Sequence, residues 1–89
     1  MKLQTLGDAI DERMEARADS PAAAALALGV TVEELLAWMG DEHLPEPGQS
    51  VAVMGYLEVD ADHYRGLCLR SQMRHVQSTI RNGPSARSA

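Results

Sequence analysis

The sequence contains no phenylalanine, only two tyrosines and one tryptophan. A core built on stacked aromatic rings is therefore excluded, although 45% of the residues are apolar. Aliphatic side chains, alanine and methionine must fill the interior instead. With 89 residues the chain has room for one hydrophobic core, and that core is small enough to benefit from a second subunit.

Cysteine is nearly absent, and catalytic motifs are missing. The single cysteine, Cys68, excludes an internal disulfide and a cysteine-based metal site. His43 has no histidine or cysteine at ligand spacing, and Asp60, Asp62 and His63 stand at a helix start, where acids act as caps. We therefore expect no enzymatic activity, no metal and no cofactor. Since neither a signal peptide nor a long apolar run is present, we expect a cytoplasmic protein without a membrane partner.

Basic residues are scarce in the first two thirds of the chain. Residues 1–62 contain three basic and all thirteen acidic residues, for a net charge of −10, whereas residues 63–89 contain five arginines and no acid. The whole chain carries −5. Cationic contacts to phosphate supply much of the affinity of DNA-binding proteins. The acidic front half therefore keeps a basic protein surface open as an alternative partner.

The most informative stretch is residues 20–40, SPAAAALALGVTVEELLAWMG. Ser20 is a good N-cap, and Gly29 stands where a helix needs a left-handed residue to end. Thr31 can cap the next helix, and Glu34 three residues later fits a capping box. Two short helices joined this tightly predict a helix-turn-helix.

These residues resemble the lambda-repressor-like (Cro/repressor) helix-turn-helix family, and the resemblance covers roughly residues 5–67. The matching residues are Ser20, Ala25, Leu28, Gly29, Val30, Thr31, Leu35, Trp38, Leu44, Pro45, Leu57, Val59, Asp60 and Asp62. The resemblance implies an all-α, lambda-repressor-like domain of five helices over residues 1–67, and the apolar spacing described below adds an extended C-terminal helix. It also implies a small sequence-specific regulator of transcription, of the phage Cro or bacterial repressor kind. Such a regulator places its third helix, here residues 32–39, in the major groove of double-stranded DNA.

Apolar spacing and capping signals predict the other helices. The first helix follows Thr5, the fourth begins at Pro47, and the last runs from Ala61 to Ile80. We expect one shared core that contains Leu6, Ile10, Ala25, Leu28, Val30, Leu35, Trp38, Leu57 and Val59.

Two further expectations concern which side chains of the third and fourth helices face the core. Leu36 and Met39 should be partly covered in the third helix. Val51 and Met54 should face inward in the fourth.

The candidate DNA contacts come from three places. They are Thr31, Val32, Glu33, Glu34 and Ala37 around the third helix, Arg13, Arg17 and Ser20 at the first two helices, and Arg70 and Arg74 on the last. Glutamate can accept from cytosine N4, and valine or alanine can touch a thymine methyl. Alternatively, Glu33 and Glu34 could act only by placing negative charge near the positive N-terminal end of the helix dipole, which is favourable. The arginines of the last helix could follow phosphates or meet the acidic half of a partner.

The last helix is longer than the domain needs. Residues 68–82 extend past the core, and Met73, Val76 and Ile80 recur on one face. This pattern predicts a homodimer through that face. Asn82-Gly83-Pro84 should end the helix, leaving residues 83–89 as a disordered tail.

Overall fold

Five α-helices make up the described part of the protein. The computed structural model describes the backbone of residues 4–88 and the side chains of residues 4–76, and these residues form no strand. The helices are α1 (Leu6–Arg17), α2 (Pro21–Leu28), α3 (Val32–Met39), α4 (Pro47–Leu57) and α5 (Ala61–Ser88). The prediction of an all-α fold with five helices is confirmed.

Local capping residues fix where the helices begin and end. Thr5 and Asp8 form a reciprocal capping box at α1. Ser20 Oγ accepts from the Ala23 amide, 3.1 Å away, at the start of α2. Gly29 ends α2 in the left-handed region, with φ of 74°, as the sequence predicts. These caps satisfy backbone groups that the helices themselves leave unpaired.

The core lies where α1, α2 and α3 meet α4 and the first part of α5. Its buried apolar residues are Leu6, Ile10, Met14, Ala24, Ala25, Leu28, Leu35, Trp38, Val53, Tyr56, Leu57 and Leu67. Most of the expected core is confirmed, but Val30 and Val59 are only partly buried at its edge. Both follow a residue that ends a helix, and a residue leaving a helix is held less deeply than one on the inward stripe.

The expected orientation of α4 is wrong. Val51 is 73% exposed and Met54 only partly buried, whereas Val53 and Tyr56 face inward beside Leu57. One contact of α4 in this orientation cannot be read from apolar spacing: the Tyr56 hydroxyl donates to Asp19 Oδ2 at 2.7 Å.

The last helix is longer than expected. α5 continues to Ser88, past Asn82-Gly83-Pro84, so the predicted helix end and the tail over residues 83–88 are wrong. Proline removes one backbone donor and tends to kink a helix, but a helix can continue beyond it. The side chain of Ile80 lies outside the described residues.

Asp41 joins three helices from a buried position directly after α3. Its carboxylate accepts from the Gly7 amide (3.1 Å), Thr5 Oγ1 (3.0 Å) and Ser71 Oγ (2.7 Å). Arg74 Nη1 donates a fourth bond, at 3.0 Å. A buried carboxylate requires such donors. Asp41 therefore ties the end of α3 to the start of α1 and the middle of α5.

No single helix among the described residues is long and apolar enough to cross a membrane. The bent pair of α2 and α3 passes the same test of length and composition when the two are taken together.

Candidate nucleic-acid interface

The α2–α3 pair has a tight, well-defined geometry. The three residues Gly29, Val30 and Thr31 connect the helices, and the chain turns by 102° between them. The Val30 amide donates to Ala25 O at 3.0 Å, which closes the end of α2. Thr31 Oγ1 accepts from the Glu34 amide at 3.1 Å, which opens α3. Such an angle and connection fall in the range of about 90–120° and 3–4 residues found in helix-turn-helix motifs.

The outer face of α3 consists of Val32, Glu33, Leu36 and Ala37. Val32, Glu33 and Leu36 are exposed, and Ala37 is half-buried. Leu36 is 48% exposed, so the expectation that it is partly covered is wrong. Leu35 and Trp38 fill the inward stripe, which leaves Leu36 on the opposite side. This face offers methyl groups and one carboxylate, which suit thymine methyls and a cytosine amino group.

Glu34 does not belong to the outer face. Its carboxylate accepts from Gln49 Nε2 at 2.8 Å, and Gln49 Oε1 accepts from the Glu46 amide at 2.8 Å. The side chain therefore links α3 to the start of α4 instead of closing the capping box with Thr31. A groove of about 510 Å³ lies between these elements, with Glu33, Glu34 and Glu46 along its walls and Trp38 beneath.

Arg13 is engaged within the molecule. Its Nε donates to Tyr56 O at 2.9 Å, and its guanidinium pairs with Glu58. These contacts hold the middle of α1 against the end of α4. In this arrangement Arg13 stabilises the fold and is not free to meet a phosphate.

Arg17 belongs to a cluster with Asp19 and Tyr56. Its Nε lies 2.8 Å from Asp19 Oδ2, and its guanidinium lies 5.1 Å from the centre of the Tyr56 ring. The hydrogen bonds from Arg17 and Tyr56 lower the pKa of Asp19. The cluster stands beside Ser20 at the start of α2. Because Arg17 remains nearly half exposed, it is the arginine of α1 that an external phosphate can reach.

Arg70 and Arg74 meet the acidic front half of their own chain. Arg74 lies 3.1 Å from Asp8 Oδ2 and 3.0 Å from Asp41 Oδ2, and Arg70 donates to the Gln4 carbonyl. Partial burial would raise the pKa of Asp8, but hydrogen bonds from Arg74 and Thr5 lower it overall. These contacts hold the middle of α5 against the start of α1 and the residue that follows α3.

The sequence identifies these arginines as candidate contacts but does not show their partners within the chain. The proximity of Arg17 and Asp19 along the chain was one available signal. The pairing of Arg13 with Glu58 or of Arg74 with Asp41 spans more than thirty residues, and no local pattern reports it. All five arginines whose side chains are described have an intramolecular partner.

Titratable groups outside these clusters offer little chemistry. Among residues 4–76 no three His, Cys, Asp or Glu side chains converge on a metal position. Burial raises the pKa of the Cys68 thiol, which keeps it protonated and weakly nucleophilic. Burial and a contact with Cys68 also raise the pKa of Tyr64.

Several of the predicted DNA contacts remain exposed in the fold, namely the helix starts at Ser20 and Thr31, Val32 and Glu33 on the outer face of α3, and Arg17. Comparison with protein-family models, with curated proteins and with solved structures finds no match for this chain.

Proposed function

We propose that this protein is a sequence-specific DNA-binding regulator of the helix-turn-helix type, with α3 as its recognition helix. The observation that carries the proposal is the α2–α3 pair itself. Its three-residue turn, its angle of 102° and the uncovered outer face of α3 are what a helix needs to enter a major groove.

The outer face of α3 predicts the kind of sequence that it reads. Val32, Leu36 and Ala37 present methyl groups that pack against thymine C5-methyl groups. Glu33 accepts from cytosine N4 and is repelled by the acceptor edge of guanine. Much of the specificity then comes from rejection of wrong bases, because an unpaired carboxylate beside an acceptor is unfavourable.

Electrostatics predict weak binding to random DNA. Arg13, Arg17, Arg70 and Arg74 already contact oxygen atoms of the chain, and Arg17 is the most readily released. Exposed ion pairs contribute only about 0–1 kcal/mol, so a phosphate can replace a carboxylate at little cost. With one or two such contacts, the logarithm of affinity should fall with the logarithm of salt at a slope of about −1 to −2.

Selection of bound sequences from random duplexes, followed by anisotropy titrations over a range of salt, tests this proposal. Glu33→Gln should raise the affinity for random DNA. It should therefore reduce the difference between the affinity for the selected sequence and the affinity for random DNA. Glu42→Gln, which changes an exposed acid outside α3, is the matched control and should not narrow that difference. No binding at low salt, or equal effects of the two changes, would contradict recognition by α3.

A second candidate function is supported by the arginine pairs. If the arginines stay with their carboxylates, the exposed groups on and after α3 include the carboxylates of Glu33, Glu42 and Glu46 beside apolar side chains. Such a surface suits a basic protein segment, as in an antirepressor, an antitoxin-like protein or an adaptor.

One double variant distinguishes the two functions because it changes them in opposite directions. Replacing Glu33 and Glu42 with lysine should strengthen DNA binding at low salt. The same variant should weaken the binding of an arginine-rich synthetic peptide, if such a segment is the partner. Titration of both probes against the wild type and the variant decides between them.

A further inference from the structure

The groove between α3 and the start of α4 has an apolar floor. Trp38 lies at its base and is almost fully buried, and half-buried Ala37 and Leu44 flank it. The groove measures about 510 Å³. This volume falls within the range of about 300–1,000 Å³ that binding sites for small molecules occupy. The groove can therefore hold a side chain supplied by a partner.

Carboxylates stand on both walls of this groove. Glu33 and Glu34 belong to α3, and Glu46 directly precedes α4 on the other side. Among the residues that the structure describes, no lysine or arginine lines the groove. Met73 and Val76 on the outside of α5, where the sequence predicts a homodimer, are also exposed, but the described residues that line the hollow between them carry no carboxylate. The charge of the α3–α4 groove therefore favours a cationic occupant.

Glu34 is held in position before any ligand binds. Gln49 Nε2 donates to Glu34 Oε2 at 2.8 Å, and Gln49 Oε1 accepts from the Glu46 amide at 2.8 Å. The hydrogen bond from Gln49 uses one of the two carboxylate oxygens, so Glu34 Oε1 can accept from a bound cation. A side chain that is already oriented loses less conformational entropy when a ligand binds.

We propose that this groove receives an arginine side chain from a basic peptide segment of a partner protein. The methylene stem of the arginine packs on the apolar floor, and the guanidinium lies between the carboxylates. Arginine fits better than lysine, because a planar guanidinium carries donors on both edges and can reach carboxylates on two walls, whereas an ammonium is a point charge. The net charge of −10 over residues 1–62 attracts such a segment over a longer range.

This proposal names the partner of the second candidate function, and one of its consequences rests on the proposed DNA binding. Glu33 belongs both to the groove and to the outer face of α3. A peptide in the groove should therefore exclude DNA from that face, and the basic segment acts as an antagonist of DNA binding.

Titration at low salt with three capped pentapeptides tests the proposal. Each peptide has four alanines around one central arginine, lysine or citrulline. Calorimetry measures binding, and the emission of Trp38, the only tryptophan of the chain, reports on the floor of the groove. The arginine peptide should bind and change this emission. The lysine peptide should bind more weakly, and the uncharged citrulline peptide most weakly of all.

Two substitutions locate the site. Glu34→Gln should weaken binding of the arginine peptide by about tenfold, because the glutamine keeps an acceptor for Gln49 but loses the charge that the guanidinium needs. Glu15→Gln is the matched control, since it removes the same charge from an exposed residue of α1. It should change the affinity by less than about twofold.

Three results overturn the proposal. The first is an emission of Trp38 that the arginine peptide leaves unchanged, whether or not calorimetry detects binding elsewhere. The second is equal affinity for the arginine and citrulline peptides, which requires only the wild type. The third is an equal effect of the two substitutions. These measurements use no DNA, so their result does not depend on the proposed function. Where the selected DNA binds, its displacement by the arginine peptide supports the antagonism, and simultaneous binding of peptide and DNA overturns it.

Discussion

At the scale of single residues, arginines of this acidic chain pair with its own carboxylates. Arg17 shares the Asp19 carboxylate with the Tyr56 hydroxyl, at 2.8 Å and 2.7 Å. If Arg17 moves to a phosphate, Asp19 keeps a hydrogen bond to Tyr56 and is not left without a donor. The exchange is therefore less costly than breaking an isolated pair, where the carboxylate would lose its only partner.

We expect Asp19→Asn to strengthen DNA binding. Removing the charge releases Arg17 from its pair while the phosphate contact itself stays, so the affinity for DNA should rise by a factor of about 2–5 and the salt dependence should stay near that of the wild type. Asp62→Asn is the control, because it removes a carboxylate paired with Arg65 at the exposed start of α5. Fluorescence anisotropy at several salt concentrations measures both quantities. Equal effects of the two changes would show that Arg17 is not a phosphate contact.

Gly7 marks the close approach of α1 to the end of α3. A Cβ at this position would lie 2.3 Å from the Met39 carbonyl oxygen and 2.8 Å from Asp41 Oδ1. Because a backbone atom cannot move aside easily, Gly7→Ala should destabilise the protein by about 1–3 kcal/mol. Gly55, inside α4, has nothing within 4 Å of the same atom, so Gly55→Ala should stabilise by up to about 1 kcal/mol. Urea unfolding of both variants measures the difference, and changes of the same sign would contradict this account.

At the scale of elements, α3 has a buried side and an exposed side. Leu35 is fully buried against the core, whereas its neighbour Leu36 belongs to the outer face. The inward side holds the helix in place, and the outward side is available for recognition. Mutations on the two sides should therefore separate stability from binding.

We expect Leu35→Ala to destabilise the protein by about 2–5 kcal/mol, enough to unfold much of so small a domain. Leu36→Ala should change the free energy of unfolding much less, by about 0.5 kcal/mol, because about half of the side chain is already exposed. The same change should weaken binding to the selected DNA sequence through loss of a contact with a thymine methyl. Chemical unfolding and anisotropy measure the two effects. A Leu36 variant as unstable as the Leu35 variant would show that the outer face is covered.

At the scale of the whole molecule, two carboxylates hold helices together through contacts with arginine and tyrosine side chains. Asp8 at the start of α1 pairs with Arg74 on α5, and Asp19 after α1 pairs with Arg17 and contacts Tyr56 on α4. The pKa values of both carboxyl groups are lowered in the folded protein from an ordinary value of 3.8.

This direction fixes how stability depends on pH. A carboxyl group whose pKa is lowered by folding contributes its full stabilisation above its ordinary pKa. That contribution is lost as the pH falls through the folded-state pKa. The urea midpoint should therefore decrease below about pH 4. Asp8→Asn should reduce this decrease, because one of the two groups no longer titrates. A midpoint that is constant from neutral pH down to about pH 2 would contradict the role of these pairs.

The sequence alone determined the elements of this protein. The residues that cap the helices contact atoms only a few positions away, so the capping patterns can be read directly from the sequence. These residues are Thr5, Ser20, Gly29, Thr31 and Asp60. The same holds for the inward stripes of α1 and α3, which repeat at helical spacing. An all-α fold with a tight α2–α3 connection followed from these local rules.

Only the tertiary structure decided which charged groups are free. Asp41 accepts hydrogen bonds from Gly7 of α1 and Ser71 of α5. Arg13 pairs with Glu58, and Glu34 accepts a hydrogen bond from Gln49, which is 15 positions away in the sequence. Such pairs depend on how the helices pack, and a packing arrangement brings together residues that share no spacing in the sequence. For the same reason the sequence placed Arg13, Arg74 and Glu34 among the candidate DNA contacts, and folding directs each of them to a partner within the chain.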